Sequence, residues 1–171
     1  MEVDINSGGG EVFAGSEIYS ALRAYSLNGG HVTVNIVGLA ASAASVIAMA
    51  GDVVRITPVG QIMIHNASIY GANGDYRDMN HMSGVLKNVN QTLANAYRLK
   101  TGKTEAELLS MLDDETWLTP EQALLHGFVD EILFDDKAQP GLSPARRSKI
   151  ASLQTRKMAA QLNLMKLKVG I

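Results

Sequence analysis

Gly38-Leu39-Ala40-Ala41-Ser42-Ala43-Ala44-Ser45 joins a segment with the pattern of a strand to a segment with the pattern of a helix. A β-branched run at 32–37 precedes it, and a run of small and apolar residues at 46–50 follows it. Ser42 is therefore expected at a strand-to-helix turn, where the first N–H groups of the helix have no internal partner. Such groups stabilise the oxyanion that a serine nucleophile generates. A buried serine in an alanine-rich helix is the alternative that this stretch alone leaves open.

The rest of residues 1–136 alternates between strand and helix patterns. Strands are predicted at 1–5, 53–56, 61–64 and 128–133, and helices at 16–27, 76–100, 105–112 and 120–126. This order favours an α/β fold with a largely parallel sheet, in which loops at the carboxyl ends of the strands hold ligands. The long helix 76–100 exceeds the needs of a small core, so it is expected to protrude and to pack partly on another subunit.

Composition limits the class of protein. Of the 171 residues, 46% are hydrophobic and 19% are charged, as in an ordinary soluble domain. The sequence contains no cysteine, which excludes disulfides and thiolate metal sites. The four histidines have no spacing of a helical metal motif, which argues against a metal site. Because no apolar run has the length of a membrane span and no signal-peptide pattern is visible, a cytoplasmic protein is expected.

The distribution of charge divides the chain. Residues 1–136 carry 17 acidic and 7 basic residues, a balance of −10, whereas residues 137–171 carry 8 basic residues and no acidic one. We therefore predict a domain at 1–136 and a basic tail, helical or disordered, at 137–171. The tail is interpreted either as a passive extension or as a helix that docks on an acidic surface of this chain, a second copy or another protein. It has no aromatic residue on which bases could stack, which argues against nucleic acid.

Three other stretches carry residues suited to catalysis. The glycines of Asn6-Ser7-Gly8-Gly9-Gly10 permit positive φ angles and close approach of the backbone to a ligand. His65 follows the predicted strand 61–64, at the same sheet edge as Ser42. The acidic run Asp113-Asp114-Glu115 offers a carboxylate for orienting a catalytic histidine, or is a solvated turn.

Together these stretches resemble the proteolytic subunit of the Clp protease family. Residues 6–10 match the family's Asn-Ser-Pro-Gly-Gly stretch, with Gly8 in place of the proline. Residues 38–42 match its nucleophile motif, and Met63-Ile64-His65-Asn66 matches its histidine motif. Glu115-Thr116-Trp117-Leu118-Thr119 matches its acid-bearing segment. The match covers about residues 3–133, and the branch that it resembles most is the phage and prophage one, often linked to capsid (head) maturation.

The resemblance implies a fold and an activity. The fold would be the Clp/crotonase-like arrangement of repeated β-β-α units, and the activity would be that of a serine endopeptidase that needs no cofactor. Ser42 would act as the nucleophile and His65 as the general base. The backbone N–H groups of Gly9 and Ala43 would form the oxyanion hole.

The acid of the triad is the position at which the chain departs from the family pattern. The usual family residue is an aspartate, which aligns here with Glu115. Asp114 and Asp113 are the alternative acids, because both lie close to Glu115 in the sequence.

The resemblance also implies partners, namely a polypeptide substrate and a homo-oligomeric ring of six or seven copies. Members of the family normally carry a strand, a helix and axial loops before the glycine-rich stretch, and here Met1 lies almost upon it. This argues against an AAA+ unfoldase as partner, and a capsid or scaffold protein is the alternative. No membrane partner is expected.

Two other functions remain open at this point. The first is a crotonase-like acyl-CoA enzyme, which shares the glycine-rich oxyanion site but needs no Ser–His pair. The second is a non-catalytic component of capsid assembly with a degenerate site. The presence of serine, histidine and carboxylate candidates favours the peptidase over both.

Overall fold

The computed structural model describes residues 1–134, and the predicted tail 137–171 lies outside the described residues. Over 1–134 the strands are β1 (Glu2–Ser7), β2 (Thr33–Ala41), β3 (Val53–Ile56), β4 (Gln61–Ile64), β5 (Thr116–Leu118) and β6 (Glu131–Ile132). The helices are α1 (Val12–Leu27), α2 (Ala43–Ala48), α3 (Tyr76–Thr101), α4 (Glu105–Asp113) and α5 (Pro120–Leu125). The predicted α/β fold with a largely parallel sheet is confirmed.

Strand β2 is the centre of the sheet and changes partners along its length. In its first half Val34 stands between Val3 of β1 and Val54 of β3, and both pairings are parallel. In its second half Ala41 stands opposite Met63 of β4, again in parallel. The path through the sheet is β5-β4-β2-β3-β6, with β1 paired to β2. The ends of β2 and β4 therefore lie side by side at one edge of the sheet.

Helix α1 begins earlier than the sequence predicts. The sequence predicts Ser16 as the N-cap, but Glu11 is the cap, because its carboxylate accepts the N–H groups of Phe13 and Ala14 at 3.0 and 2.6 Å. The Ser16 hydroxyl donates instead to the carbonyl of Val12 at 3.0 Å. A carboxylate at this position satisfies the free N–H groups of the first turn as a serine would.

The spacing of Ile18, Leu22 and Tyr25 predicts the inner face of α1, and this prediction is only partly confirmed. Leu22 packs against the core, whereas Ile18 and Tyr25 are 47% and 44% exposed. The close contact is made by Gly15, where an added Cβ would lie 3.0 Å from the Cβ of Ala43 in α2. The smallest residue of the helix thus lies where α1 and α2 approach most closely, which an apolar count does not reveal.

The later helices agree with the sequence patterns. Helix α3 extends over Tyr76–Thr101, against a predicted 76–100, and no residue of 76–92 is buried. Thr104 with Glu107 and Thr119 with Gln122 have the sequence spacing that predicts a capping box, and both boxes are present at the starts of α4 and α5. None of the helices in residues 1–134 combines the length and the apolar composition needed to span a membrane.

Strands β5 and β6 differ from expectation. The segment after the acidic run forms β5, which pairs antiparallel to β4 with Ile64 opposite Thr116. The predicted strand 128–133 contracts to Glu131–Ile132, because the N–H groups of Phe128 and Val129 donate to the carbonyl of Ala123 in α5 rather than to a neighbouring strand. An antiparallel edge strand of three residues is too short for its alternation to be recognised in a sequence.

A pair of hydroxyl groups is buried in the core. The hydroxyl groups of Ser45 and Tyr97 lie 2.8 Å apart, with the two residues 0% and 1% exposed. The Tyr97 ring packs against Phe128 at a centroid distance of 5.8 Å. Burial raises the pKa of Tyr97 above its ordinary value of 10.0, and the hydrogen bond with Ser45 opposes that rise.

We expect this tyrosine to make stability sensitive to alkaline pH. The unfolded chain ionises it above about pH 10, whereas the folded chain keeps it protonated, so its contribution is complete below that pH and is lost as the pH rises. The free energy of unfolding in urea should therefore fall with pH more steeply in the wild type than in Tyr97→Phe, with an excess slope of up to about 1.4 kcal/mol per pH unit.

The matched control is Tyr70→Phe, because the Tyr70 side chain is 93% exposed. Its slope should equal that of the wild type. Equal slopes in the wild type and Tyr97→Phe would contradict the buried environment of Tyr97.

Candidate active site

Ser42 follows β2 directly and caps α2 at a strained backbone position. Its φ and ψ are 54° and −127°, one of three positive φ angles among the non-glycine residues of 1–134. Its N–H donates to the carbonyl of Met63 at 2.9 Å, which extends the pairing of β2 with β4 by one residue. Backbone strain of this kind costs about 1–3 kcal/mol and persists where surrounding contacts enforce it. The predicted strand-to-helix turn at Ser42 is thus present.

His65 lies directly after β4 and contacts the serine. Its Nε2 is 2.8 Å from Ser42 Oγ, and its ring is half-buried. When Ser42 donates in this hydrogen bond, Nδ1 carries the ring proton. The parallel pairing of Ala41 with Met63 brings the two residues together, because each comes just after a neighbouring strand. A hydroxyl and a neutral imidazole in this arrangement suit proton transfer from oxygen to nitrogen.

The glycine-rich stretch approaches the serine closely through one of its residues. Gly9 has φ of 98°, and a Cβ built on it would lie 2.6 Å from Ser42 Cβ, 2.7 Å from Ala41 O and 3.0 Å from Ala43 N. Only glycine fits this backbone position without displacing its neighbours. The Gly9 N–H donates to Ser7 Oγ at 3.2 Å. The two residues predicted for an oxyanion hole, Gly9 and Ala43, therefore both lie beside Ser42.

The three acidic residues 113–115 make different contacts. The Glu115 carboxylate accepts the indole N–H of Trp117 at 3.3 Å, and Glu115 has φ of 47°. The Asp113 carboxylate accepts the side-chain N–H of Asn66 at 2.8 Å. Asp114 caps the end of α4 through its backbone. Across residues 1–134 no carboxylate is hydrogen-bonded to His65. The structure thus joins Ser42 and His65 by a hydrogen bond, whereas the three carboxylates of residues 113–115 are not hydrogen-bonded to either residue.

Two asparagine contacts around the site were not predicted from the sequence. Asn6 Oδ1 accepts the N–H of Leu39 at 3.1 Å, at the register shift between Ile5 and Ser7 in the pairing of β1 with β2. Asn90 of α3 accepts the N–H of Ala67 at 2.8 Å, which holds the segment after His65. The glycine at position 38 was the one sequence feature that could have indicated the Asn6 contact, because a Cβ there would lie 2.5 Å from Asn6 Oδ1. In the described residues 1–134, no group of three or more His, Cys, Asp or Glu is placed to hold a metal.

Comparison with known proteins identifies the family. The profile of the Clp protease family matches residues 1–136. The chain belongs to the Clp protease family. It is 31% identical over 143 residues to the ATP-dependent Clp protease proteolytic subunit of Deinococcus radiodurans, covering 82% of this chain and 68% of the relative.

Two further relatives show similar values. Proteolytic subunit 1 of Chlamydia abortus is 34% identical over 134 residues, which cover 76% of this chain and 68% of the relative. Proteolytic subunit 2 of Tropheryma whipplei is 32% identical over 130 residues, which cover 75% of this chain and 70% of the relative. This member of the Clp protease family is accordingly a serine-type peptidase.

We expect Gly9→Ala to reduce labelling by a fluorophosphonate at least about hundredfold, since a misplacement of about 1 Å near reacting atoms has that effect. The reason is that the new Cβ overlaps Ser42 Cβ and Ala41 O at 2.6 and 2.7 Å and meets an unfavourable φ.

The control is Gly8→Ala, where a Cβ has no heavy atom within 4 Å. Its labelling rate should stay within about twofold of the wild type, as for a neutral surface substitution. Equal loss in the two variants would show that the close approach of Gly9 to Ser42 is not what matters.

Proposed function

We propose that this chain hydrolyses peptide bonds with Ser42 as nucleophile, His65 as general base, and the N–H groups of Gly9 and Ala43 as oxyanion donors. One observation carries the proposal: the 2.8 Å hydrogen bond between Ser42 Oγ and His65 Nε2 at the adjoining ends of β2 and β4. Membership of the Clp protease family supports the same chemistry from an independent direction.

The reaction proceeds by acyl transfer. Ser42 Oγ attacks the carbonyl carbon of the scissile bond while His65 Nε2 takes its proton. The tetrahedral intermediate collapses, the carbon–nitrogen bond breaks, and His65 gives the proton to the leaving amine. Water then attacks the ester carbon on Ser42 while His65 again takes a proton. The second tetrahedral intermediate collapses, the carbon–oxygen bond to Ser42 breaks, and His65 returns the proton to Ser42 Oγ as the carboxylic acid product leaves. No redox change occurs, and the proton returns to its starting place.

The oxyanion of both tetrahedral intermediates needs donors at the nucleophile. Ala43 is the first residue of α2, so its N–H has no acceptor within the helix. The Gly9 N–H is held by Ser7 at 3.2 Å, which is a long and exposed hydrogen bond. An oxyanion is a stronger acceptor than a neutral hydroxyl, so it replaces Ser7 as the partner of Gly9.

Glu115 is the proposed orienting acid. The β4–β5 ladder ends with Ile64 opposite Thr116, so His65 and Glu115 are the next residues on the two strands. Its present partner, Trp117, holds it at 3.3 Å in an exposed position, which is a weak restraint. Asp113 and Asp114 are the alternatives, and Asp113 already binds Asn66 at 2.8 Å.

Other parts of the proposal follow from the family. Its substrates are polypeptides, it self-associates into a ring, and it works in the cytoplasm, with an AAA+ unfoldase or a capsid protein as the further partner. The three relatives described above are bacterial, so a role in phage capsid maturation stays a prediction from the sequence. The Ser42–His65 hydrogen bond favours the peptidase over an acyl-CoA enzyme and over a degenerate site.

We expect Ser42→Ala to lower peptide hydrolysis and fluorophosphonate labelling at least about a thousandfold, because the nucleophile is lost. Its circular dichroism spectrum and thermal midpoint should match the wild type. Ser68→Ala, which removes an exposed hydroxyl three residues after His65, is the control and should keep full activity. Mass spectrometry that found the label on Ser7 or Ser45 would refute the assignment.

We expect Glu115→Gln to lower kcat by more than about tenfold, because the imidazolium formed in the reaction loses its charged partner. Asp113→Asn is the comparison, since an amide oxygen at that position still accepts from Asn66. It should change kcat less than Glu115→Gln does. A larger effect of Asp113→Asn would transfer the role of the acid to Asp113.

A further inference from the structure

Ser45 is a buried polar residue with two hydrogen-bonding partners. Its hydroxyl donates to the carbonyl oxygen of Ser42 at 2.6 Å and lies 2.8 Å from the hydroxyl of Tyr97. Ser45 and Tyr97 are essentially inaccessible to solvent, at 0% and 1% exposed. Buried hydroxyl groups are retained in cores only when they are hydrogen-bonded, so the three groups form one connected chain.

The direction of the protons in this chain follows from counting donors. A carbonyl oxygen only accepts, and a serine hydroxyl has a single hydrogen. Because Ser45 gives its hydrogen to the Ser42 carbonyl, Tyr97 gives its own hydrogen to Ser45 Oγ. Burial raises the pKa of Tyr97, so this donor stays protonated throughout the neutral range. The order is therefore Tyr97 to Ser45 to the Ser42 carbonyl.

The Ser42 carbonyl belongs to the peptide unit that also carries the Ala43 N–H. The peptide bond is planar, so a hold on the oxygen also sets the direction of that N–H. The Ser42 carbonyl accepts the Ser45 N–H at 3.0 Å in addition to the Ser45 hydroxyl. The ψ angle of Ser42, −127° with a φ of 54°, lies outside the regions that a serine favours, so this orientation needs external contacts.

We propose that Ser45 and Tyr97 are positioning residues that clamp the Ser42–Ala43 peptide and aim the Ala43 N–H at the oxyanion. The inference rests on the proposed function, in which that N–H is an oxyanion donor. Tyr97 lies on α3, so the clamp connects the long helix to the reacting centre. Neither residue touches the substrate, and both act through the peptide.

The decisive variant is the double substitution Ser45→Ala with Tyr97→Phe. The single Ser45→Ala leaves the Tyr97 hydroxyl buried without a partner, so it lowers stability as well as activity. The double variant removes both hydroxyl groups, so neither is left buried without a partner. The aromatic ring of residue 97 still packs against Phe128. A purely structural pair would recover its activity when stability recovers. A clamp would not, because the Ser42 carbonyl still lacks its side-chain donor.

We expect kcat for a peptide substrate to fall about tenfold or more in both Ser45 variants, with KM within about twofold, since donor orientation affects the transition state rather than substrate binding. The fluorophosphonate labelling rate should fall in parallel. The thermal midpoint should drop in Ser45→Ala and recover in the double variant. Ser20→Ala is the matched control, because its hydroxyl donates to the carbonyl of Ser16 within α1 at 2.8 Å, and it should leave kcat unchanged.

Tyr97→Phe alone provides a second measurement should either Ser45 variant fail to fold. It keeps the Ser45 donor but removes the group that orients it, so kcat should fall less than in Ser45→Ala, again at constant KM. Full kcat in Tyr97→Phe and in the double variant, with Ser42 labelled normally in the wild type, would overturn this inference alone. A wild type that neither cleaves peptides nor labels at Ser42 would overturn the proposed function and this inference with it.

Discussion

Parallel pairing between β2 and β4 sets Ala41 opposite Met63, and the parts of the candidate site are placed relative to that pair. The next residue on β2 is Ser42, whose N–H continues the pairing to the Met63 carbonyl at 2.9 Å. The next residues on β4 lead to His65. Because side chains at the ends of adjacent parallel strands share one edge of the sheet, the 2.8 Å contact between Ser42 and His65 is a consequence of topology. Ser42 and His65 are only 23 residues apart in the chain, although helix α2 and strand β3 lie between them in the sequence.

The pairing also explains why so many small residues surround the serine. Strand β2 changes its neighbour from β3 to β4 between residues 36 and 39, and Gly38 lies at that change. Helix α2 lies under α1 at the Gly15–Ala43 contact, and Gly9 passes over Ser42 with no room for a Cβ. Each of these positions excludes side-chain volume for a different reason. The small residues around Ser42 therefore reflect close contacts with other segments, and not only the requirements of an alanine-rich helix.

The sequence predicts those parts of the site that depend on local signals. A β-branched run before Ser42, an apolar strand before His65 and the capping boxes of α4 and α5 are each visible within a few residues. Contacts between distant segments carry no such signal. Ser45 and Tyr97 are 52 residues apart, and each reads alone as an ordinary member of a helix. Strand β5 is short and antiparallel, so its partner is determined by the tertiary fold rather than by its own pattern. The sequence does not distinguish the acid of the triad, because the three carboxylates of residues 113–115 are adjacent. Their contacts differ only because the backbone places each of them differently.

The backbone path at residue 115 helps to explain why a glutamate suits this position in the proposed mechanism. The ladder stops at Thr116, and Glu115 leaves it through a φ of 47°, so strand alternation no longer determines where its side chain points. Glutamate has one rotatable bond more than aspartate, which lets its carboxylate reach either the Trp117 indole or a neighbouring ring. The side chain is exposed, so moving between these partners requires little desolvation. The attraction to His65 is weak while the imidazole is neutral and grows when it takes the Ser42 proton, since only then do two opposite charges face each other. In the proposed mechanism, a long, exposed carboxylate at position 115 would thus stabilise the imidazolium without holding the resting base rigidly.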